Sequence, residues 1–294
     1  MGPELMDVLV GANRTLLYTG YVLLAGTLTF WTLVWPEGGA HRKLVLLAVG
    51  GIILMALTSV SGPILQRLTA DLTWPQILTP VVGVALLIRF AALATATFFM
   101  ADIVSHPVRG VRLVLPVMIV LVLAVSLLLV SNAVDAPWQV AKTIATLGHV
   151  IATAAWLGGL LALAAVLIPG QHLSELDLLI PRFSLVAATS VTVLVVTGTI
   201  HAVAVAGGLR PLADSPYGLV LVVKASLFAA MLVLGNHGRT YAARVAWRAT
   251  QSDEQSMRGS HSVHSLAVVM GAELAIAAVV LATTSVLVMV APAP

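Results

Sequence analysis

Residues 141–168 read AKTIATLGHVIATAAWLGGLLALAAVLI. The run carries one cation near its start and no acid, and it exceeds the roughly 20 apolar residues that carry a helix across the hydrocarbon core of a bilayer. A second ionisable side chain, His149, lies well inside it. Trp156 follows seven residues later, two helical turns on and therefore on the same face, with Thr153 between them. The small pair Gly158-Gly159 comes next. An ionisable group within a membrane span is a candidate functional site, because lipid solvates it poorly. The ordinary alternative is a structural histidine that hydrogen-bonds a neighbouring helix.

The rest of the chain has the same character. Sixty per cent of the 294 residues are hydrophobic, nine per cent are charged, and mean hydropathy is +1.04. A water-soluble chain of this size has no means of covering so much apolar surface, so the solvent is lipid. The apolar runs are continuous, not alternating, which selects an all-α transmembrane bundle over a barrel. Absence of cysteine excludes disulfides, thiolate metal ligands and thiol catalysis. No cationic leader precedes the first apolar run, so no cleavable signal peptide is expected.

Eight spans are predicted: Thr15–Val34, Leu44–Ser61, Pro80–Met100, Val111–Val130, Ala141–Ile168, Phe183–Ala206, Pro216–Leu234 and Ser265–Val290. Connections after the odd-numbered spans hold Arg42, Lys43, Arg109, Arg112, Arg182, Arg239, Arg244, Arg248 and Arg258. The opposite side holds Arg14, Arg67, Lys142 and Arg210. This bias, nine against four, predicts that the first group is cytoplasmic and both termini are outside. The same bias explains the pI near 9.6 without a nucleic-acid partner. Pro63–Thr79, with Leu65, Leu68, Leu72 and Trp74, reads as a short interfacial helix on the outer face. The largest cytoplasmic segment, His237–His264, reads as a positive-inside anchor.

The halves 1–140 and 141–294 resemble each other. Arg14-Thr15 and Gly20 match Lys142-Thr143 and Gly148, which aligns Tyr21 with His149. Val60-Ser61-Gly62 matches Val196-Thr197-Gly198. Gly83, Leu86 and Arg89 match Gly218, Leu221 and Lys224. Four crossings return a chain to its starting side, so the expected arrangement is a parallel four-plus-four duplication.

Polar groups inside the spans are few. His149 lies about 12 Å along the fifth span from its outer end, at 1.5 Å per residue. His201 lies near the outer end of the sixth, so the two are expected to meet in the outer half as a metal site, lined by Trp156, Thr153 and Tyr21. Arg89, Lys224 and Glu273 form a candidate buried charge network. Each costs about 2.5–3.5 kcal/mol at a helix centre on the insertion scale, so Glu273 is expected to pair with Arg89 or Lys224. His41, His106, His172, His237, His261 and His264 form a second layer at the cytoplasmic side, mostly in connections. Met55, Met100, Met118, Met231 and Met270 are single and read as core filler, although thioethers are competent Cu(I) ligands.

Gly148-His149 followed by Trp156-Leu157-Gly158-Gly159-Leu160 resembles the signature span of the copper resistance D (CopD) family. Arg182-Phe183-Ser184, Thr197-Gly198, Tyr217-Gly218 with Lys224, Leu234-Gly235-Asn236 with Arg239, and Glu273 follow in the family's order. The resemblance is clearest over residues 142–294. It implies an eight-helix bacterial plasma-membrane protein linked to copper uptake, tolerance or delivery to cuproenzymes. The chain departs from richer family versions in having no fused copper-binding domain and no His- or Met-rich tail. Copper capture then falls to His149 and His201, or to an extracytoplasmic carrier protein. The buried cations Arg89 and Lys224 oppose a passing cation unless Glu273 offsets them.

Two other readings compete. Histidines on adjacent spans suit a b-type haem, with Lys224 or Arg89 neutralising its propionates. A non-transporting assembly subunit needs the same buried charges only for packing. No phosphate loop, His-Glu-x-x-His or nucleophile elbow is present, so no enzyme is expected.

Overall fold

The structure, a computed structural model, describes residues 3–37, 41–70, 72–105, 110–129, 139–167, 176–206 and 218–233. Among the described residues the chain is helical and contains no strand. Five helices are long and apolar enough to cross a membrane: Val8–Val34, Arg42–Ala70, Pro80–Ile103, Val140–Val166 and Leu178–Ala204. Val114–Leu129 and Gly218–Val233 are shorter apolar helices. These segments fall on the first seven predicted spans. The eighth, Ser265–Val290, and the segment His237–His264 lie outside the described residues.

In chain order the helices are α1 (Pro3–Thr29), α2 (Arg42–Ala70), α3 (Trp74–Ile77), α4 (Pro80–Ser105), α5 (Val114–Leu129), α6 (Gln139–Thr153), α7 (Gly159–Leu167), α8 (Leu176–Ala206) and α9 (Gly218–Val233). Two stretches are wound as π-helix: Phe30–Val34 continues α1, and Ala154–Gly158 joins α6 to α7. The fifth span is therefore one continuous rod with a widened turn around Trp156. Such a turn re-aims the side chains that follow it.

The connection after the second span differs from expectation. In place of a separate interfacial helix, α2 continues through Pro63 to Ala70. A proline inside a helix sacrifices one hydrogen bond. Breaking the helix there would free several backbone groups near lipid, which costs more. The chain then turns back through the single turn α3, where the Thr73 N–H donates to Gln76 Oε1 at 2.8 Å. The Arg67 guanidinium stands 4.7 Å above the Trp74 ring and fastens this return.

Burial identifies the middle of the bundle. About two thirds (67%) of an 18-residue apolar stretch within Val8–Val34 and within Val140–Val166 is enclosed, against 17% for that within Leu178–Ala204. The first and fifth spans are thus central, and Tyr21, Leu24, Leu28, Phe30 and Trp31 form the heart of the core. Peripheral helices turn Leu87, Phe98 and Leu185 outward, which lipid accepts without penalty.

The central helices approach through small residues. A Cβ on Gly26 would collide with the Cα of Gly158, and one on Gly158 would collide with the Val22 carbonyl and the Gly26 Cα. Those atoms are backbone and have no freedom to yield, so only glycine fits at either position. At one end of the bundle Arg182 Nη1 donates to the Val34 carbonyl at 3.2 Å. The start of α8 therefore lies beside the end of the first span. At the foot of α4, Arg112 pairs with Asp102 at 2.9 Å.

Candidate functional site

The polar residues of the second half gather where α6 meets α8. His149 Nδ1 lies 3.2 Å from Thr197 Oγ1, and His201 Nδ1 lies 3.1 Å from Thr146 Oγ1. The earlier residue on one helix meets the later residue on the other, so α6 and α8 are antiparallel. Thr146 stands one turn before His149, and Thr197 one turn before His201, so each helix offers a histidine and a threonine to its neighbour. Close approach depends on small residues: a Cβ on Gly148 would press on Thr197 Cγ2 at 3.2 Å, and one on Gly198 would reach His149 Cε1 at 3.4 Å.

His149 and His201 are within electrostatic range of each other, and Lys224 on α9 is within range of both. Lys142 adds a second cation near His201. Trp156, on the π turn, meets Phe228 of α9 edge-on, with centroids 5.1 Å apart and planes at 77°. Phe228 is one turn beyond Lys224, so this aromatic contact and the lysine lie on one face of α9. Thr153 is not an open hydroxyl, because it donates to the His149 carbonyl at 2.7 Å.

Tyr21, expected to line the site, and Arg89, expected in the charge network, both bond residues of the first half. Tyr21 is fully buried and donates to the Val120 carbonyl of α5 at 3.1 Å. Its hydroxyl thus serves the core of the first half. Arg89 is 3% exposed and is held on three sides. Its Nε donates to Ser126 Oγ at 3.2 Å, Nη1 to Ser59 Oγ at 3.0 Å, and Nη2 to the Ser126 carbonyl at 2.8 Å. Glu273, the expected partner of Arg89 or Lys224, lies outside the described residues, as do His106, His172, His237, His261 and His264. His41 packs near Trp35, with ring centroids 5.8 Å apart. Met55, Met100 and Met231 are buried, while Met118 is 45% exposed.

Sequence reading missed Thr146, Ser59, Ser126 and Phe228. Thr146 carries the one usable signal: threonine three residues before a span histidine shares its helical face. Among the described residues no group of three or more histidines and carboxylates is placed to hold a metal ion. Among the described residues, the donors for an ion between α6 and α8 are the two imidazoles, and imidazole suits copper.

Residues 178–287 match the family model of copper resistance protein D (CopD). That segment, 110 of the 294 residues, includes His201, Lys224 and Glu273 and begins after His149 and Trp156. Its five membrane-length helices mark a multi-pass membrane protein, and the matched segment is similar to copper resistance protein D. No curated protein and no solved structure matches the chain.

Proposed function

We propose that the protein handles copper at the bacterial plasma membrane, serving uptake, tolerance or delivery, with His149 and His201 as a site in its outer half. The observation that carries this reading is the convergence of both histidines on one α6–α8 interface, in a chain with a copper resistance segment. Copper arrives from an extracytoplasmic carrier, is held by imidazole nitrogens, and moves on without chemical conversion. Arg89 bonds serines and a carbonyl of the first half and not the histidines. Lys224 is a cation within range of both rings, and Glu273, expected to pair with Arg89 or Lys224, lies outside the described residues.

The surrounding architecture in this reading is eight spans in two parallel halves, 1–140 and 141–294, with both termini outside. Three observations favour it: the arginine bias, the Arg182–Val34 contact that groups two expected cytoplasmic ends, and the equal enclosure of the first and fifth spans. Cysteines introduced at Ser252 and Asp71 should label from opposite faces; labelling from one face refutes the topology.

The functional test is copper content and a visible spectrum of the protein purified in detergent, with His149→Ala and His201→Ala beside it. Bound copper lost in both variants supports the site. A Soret band transfers the two histidines to haem ligation. Neither chromophore nor copper, with copper tolerance unchanged in His149→Ala, leaves the assembly-subunit reading.

A further inference from the structure

We infer that Thr146 and Thr197 are positioning residues that set the tautomer of the two histidines, leaving Nδ1 protonated and Nε2 as the basic, ligand-ready nitrogen of each ring. The inference rests on His149 and His201 being the copper ligands, and it assigns which atoms do the binding and what prepares them.

The proton count carries it. A threonine hydroxyl has one hydrogen and accepts through its lone pairs. Thr197 Oγ1 donates to the Val193 carbonyl at 2.6 Å, and Thr146 Oγ1 donates to the Lys142 carbonyl at 2.8 Å. A backbone carbonyl only accepts, so each of these short contacts consumes the hydroxyl hydrogen. The oxygens then face the imidazoles, at the longer 3.2 and 3.1 Å, with lone pairs alone. Nδ1 must supply the hydrogen. A neutral imidazole has one N–H, so Nε2 keeps its lone pair.

This is the task that outer-shell partners of metal-binding histidines perform: they fix tautomer and ring orientation and raise ligand basicity. The reciprocity adds a second consequence. The threonine that prepares each ring sits on the other helix, so both ligands are prepared only while α6 and α8 stay packed. A slip of one turn between the helices would release both rings at once.

The test uses the whole chain, labelled with ¹⁵N-histidine, in detergent and free of metal. Ring-nitrogen NMR signals are assigned by their loss in His149→Ala and His201→Ala. Both rings should report protonated Nδ1 and bare Nε2. Thr197→Val should move His149 toward the other tautomer and Thr146→Val should do the same for His201, while Thr197→Ser and Thr146→Ser keep the wild-type pattern. Cu(I) affinity should fall about 10–100-fold in each valine variant and recover in each serine variant. Protonated Nε2 in the wild type overturns the inference, as does a valine variant whose tautomer is unchanged. The wild-type spectrum needs no variant to fold. It also separates the two ideas: protonated Nδ1 without copper binding removes the copper site and keeps the tautomer assignment. Copper binding with protonated Nε2 does the reverse.

Discussion

Arg89 on α4 and the histidines on α6 and α8 show two ways of placing polar groups inside an apolar bundle. The arginine is closed off. Its planar fork spends three donors on Ser59 and Ser126, and 3% of its surface is exposed. That geometry stitches α4 to α2 and α5, and a fixed fork is well suited to stitching. The histidines are only partly buried, and each spends a single nitrogen on a threonine. Among the described residues the threonine takes Nδ1 and leaves Nε2 without a side-chain partner. Saturated polar groups build structure; half-saturated ones at a helix interface can bind. Lys224, aligned by sequence with Arg89, is a compact charge within range of both rings and not a fork.

This contrast can be broken most severely at the point where the two regions join. Gly26→Val should cost more than about 3 kcal/mol, the upper end for overpacking, because its new carbons meet unyielding backbone. Gly83→Val, where nothing among the described residues stands within 4 Å, is the control and should stay near wild type. Thermal unfolding in detergent reads the difference, and equal stability of the two variants would dismiss the Gly26–Gly158 contact.

The next effect separates structure from binding. Ser59→Ala and Ser126→Ala should each cost about 1.5–3 kcal/mol, the range for hydrogen bonds to a charged group, and leave copper content unchanged. A fall in copper content with stability intact would mean that Arg89 belongs to the binding region after all. His149→Ala and His201→Ala should show the opposite pattern. Stability should drop by about 1 kcal/mol, as for one neutral hydrogen bond, while copper affinity falls more than tenfold. Titration with a competing chelator measures the latter.

The smallest expected effect sharpens how firmly α9 is attached to the histidine region. Phe228→Leu removes the edge-on contact with Trp156, worth about 0.5–1.5 kcal/mol beyond buried area. Copper affinity should change by less than tenfold. A larger change would make the Trp156–Phe228 contact part of the site.

Residue order alone decides much of this molecule. Hydropathy is a property of each segment, so membrane-length helices, their approximate limits and the all-α class were legible without coordinates. Helical spacing is equally local, and it put His149, Thr153 and Trp156 on one face. The continuation of α2 through Pro63 was not legible, because a proline next to small polar residues reads as a break until the cost of exposed backbone is weighed. Tyr21 was grouped with His149 by alignment of the halves, yet its hydroxyl went to Val120, a choice made by the depth at which α1 meets α5. The same holds for Ser59 and Ser126 around Arg89: hydroxyls are common in spans, and nothing in their order names the cation they serve. Thr146 and Thr197 sit on different helices, and the contact of each with the other helix's histidine exists only at one antiparallel register of α6 against α8. Sequence determines which groups lipid will not solvate, because that cost belongs to each side chain. Tertiary structure determines which of them meet, because the small residues Gly26, Gly148, Gly158 and Gly198 set how closely, and at what height, the helices come together.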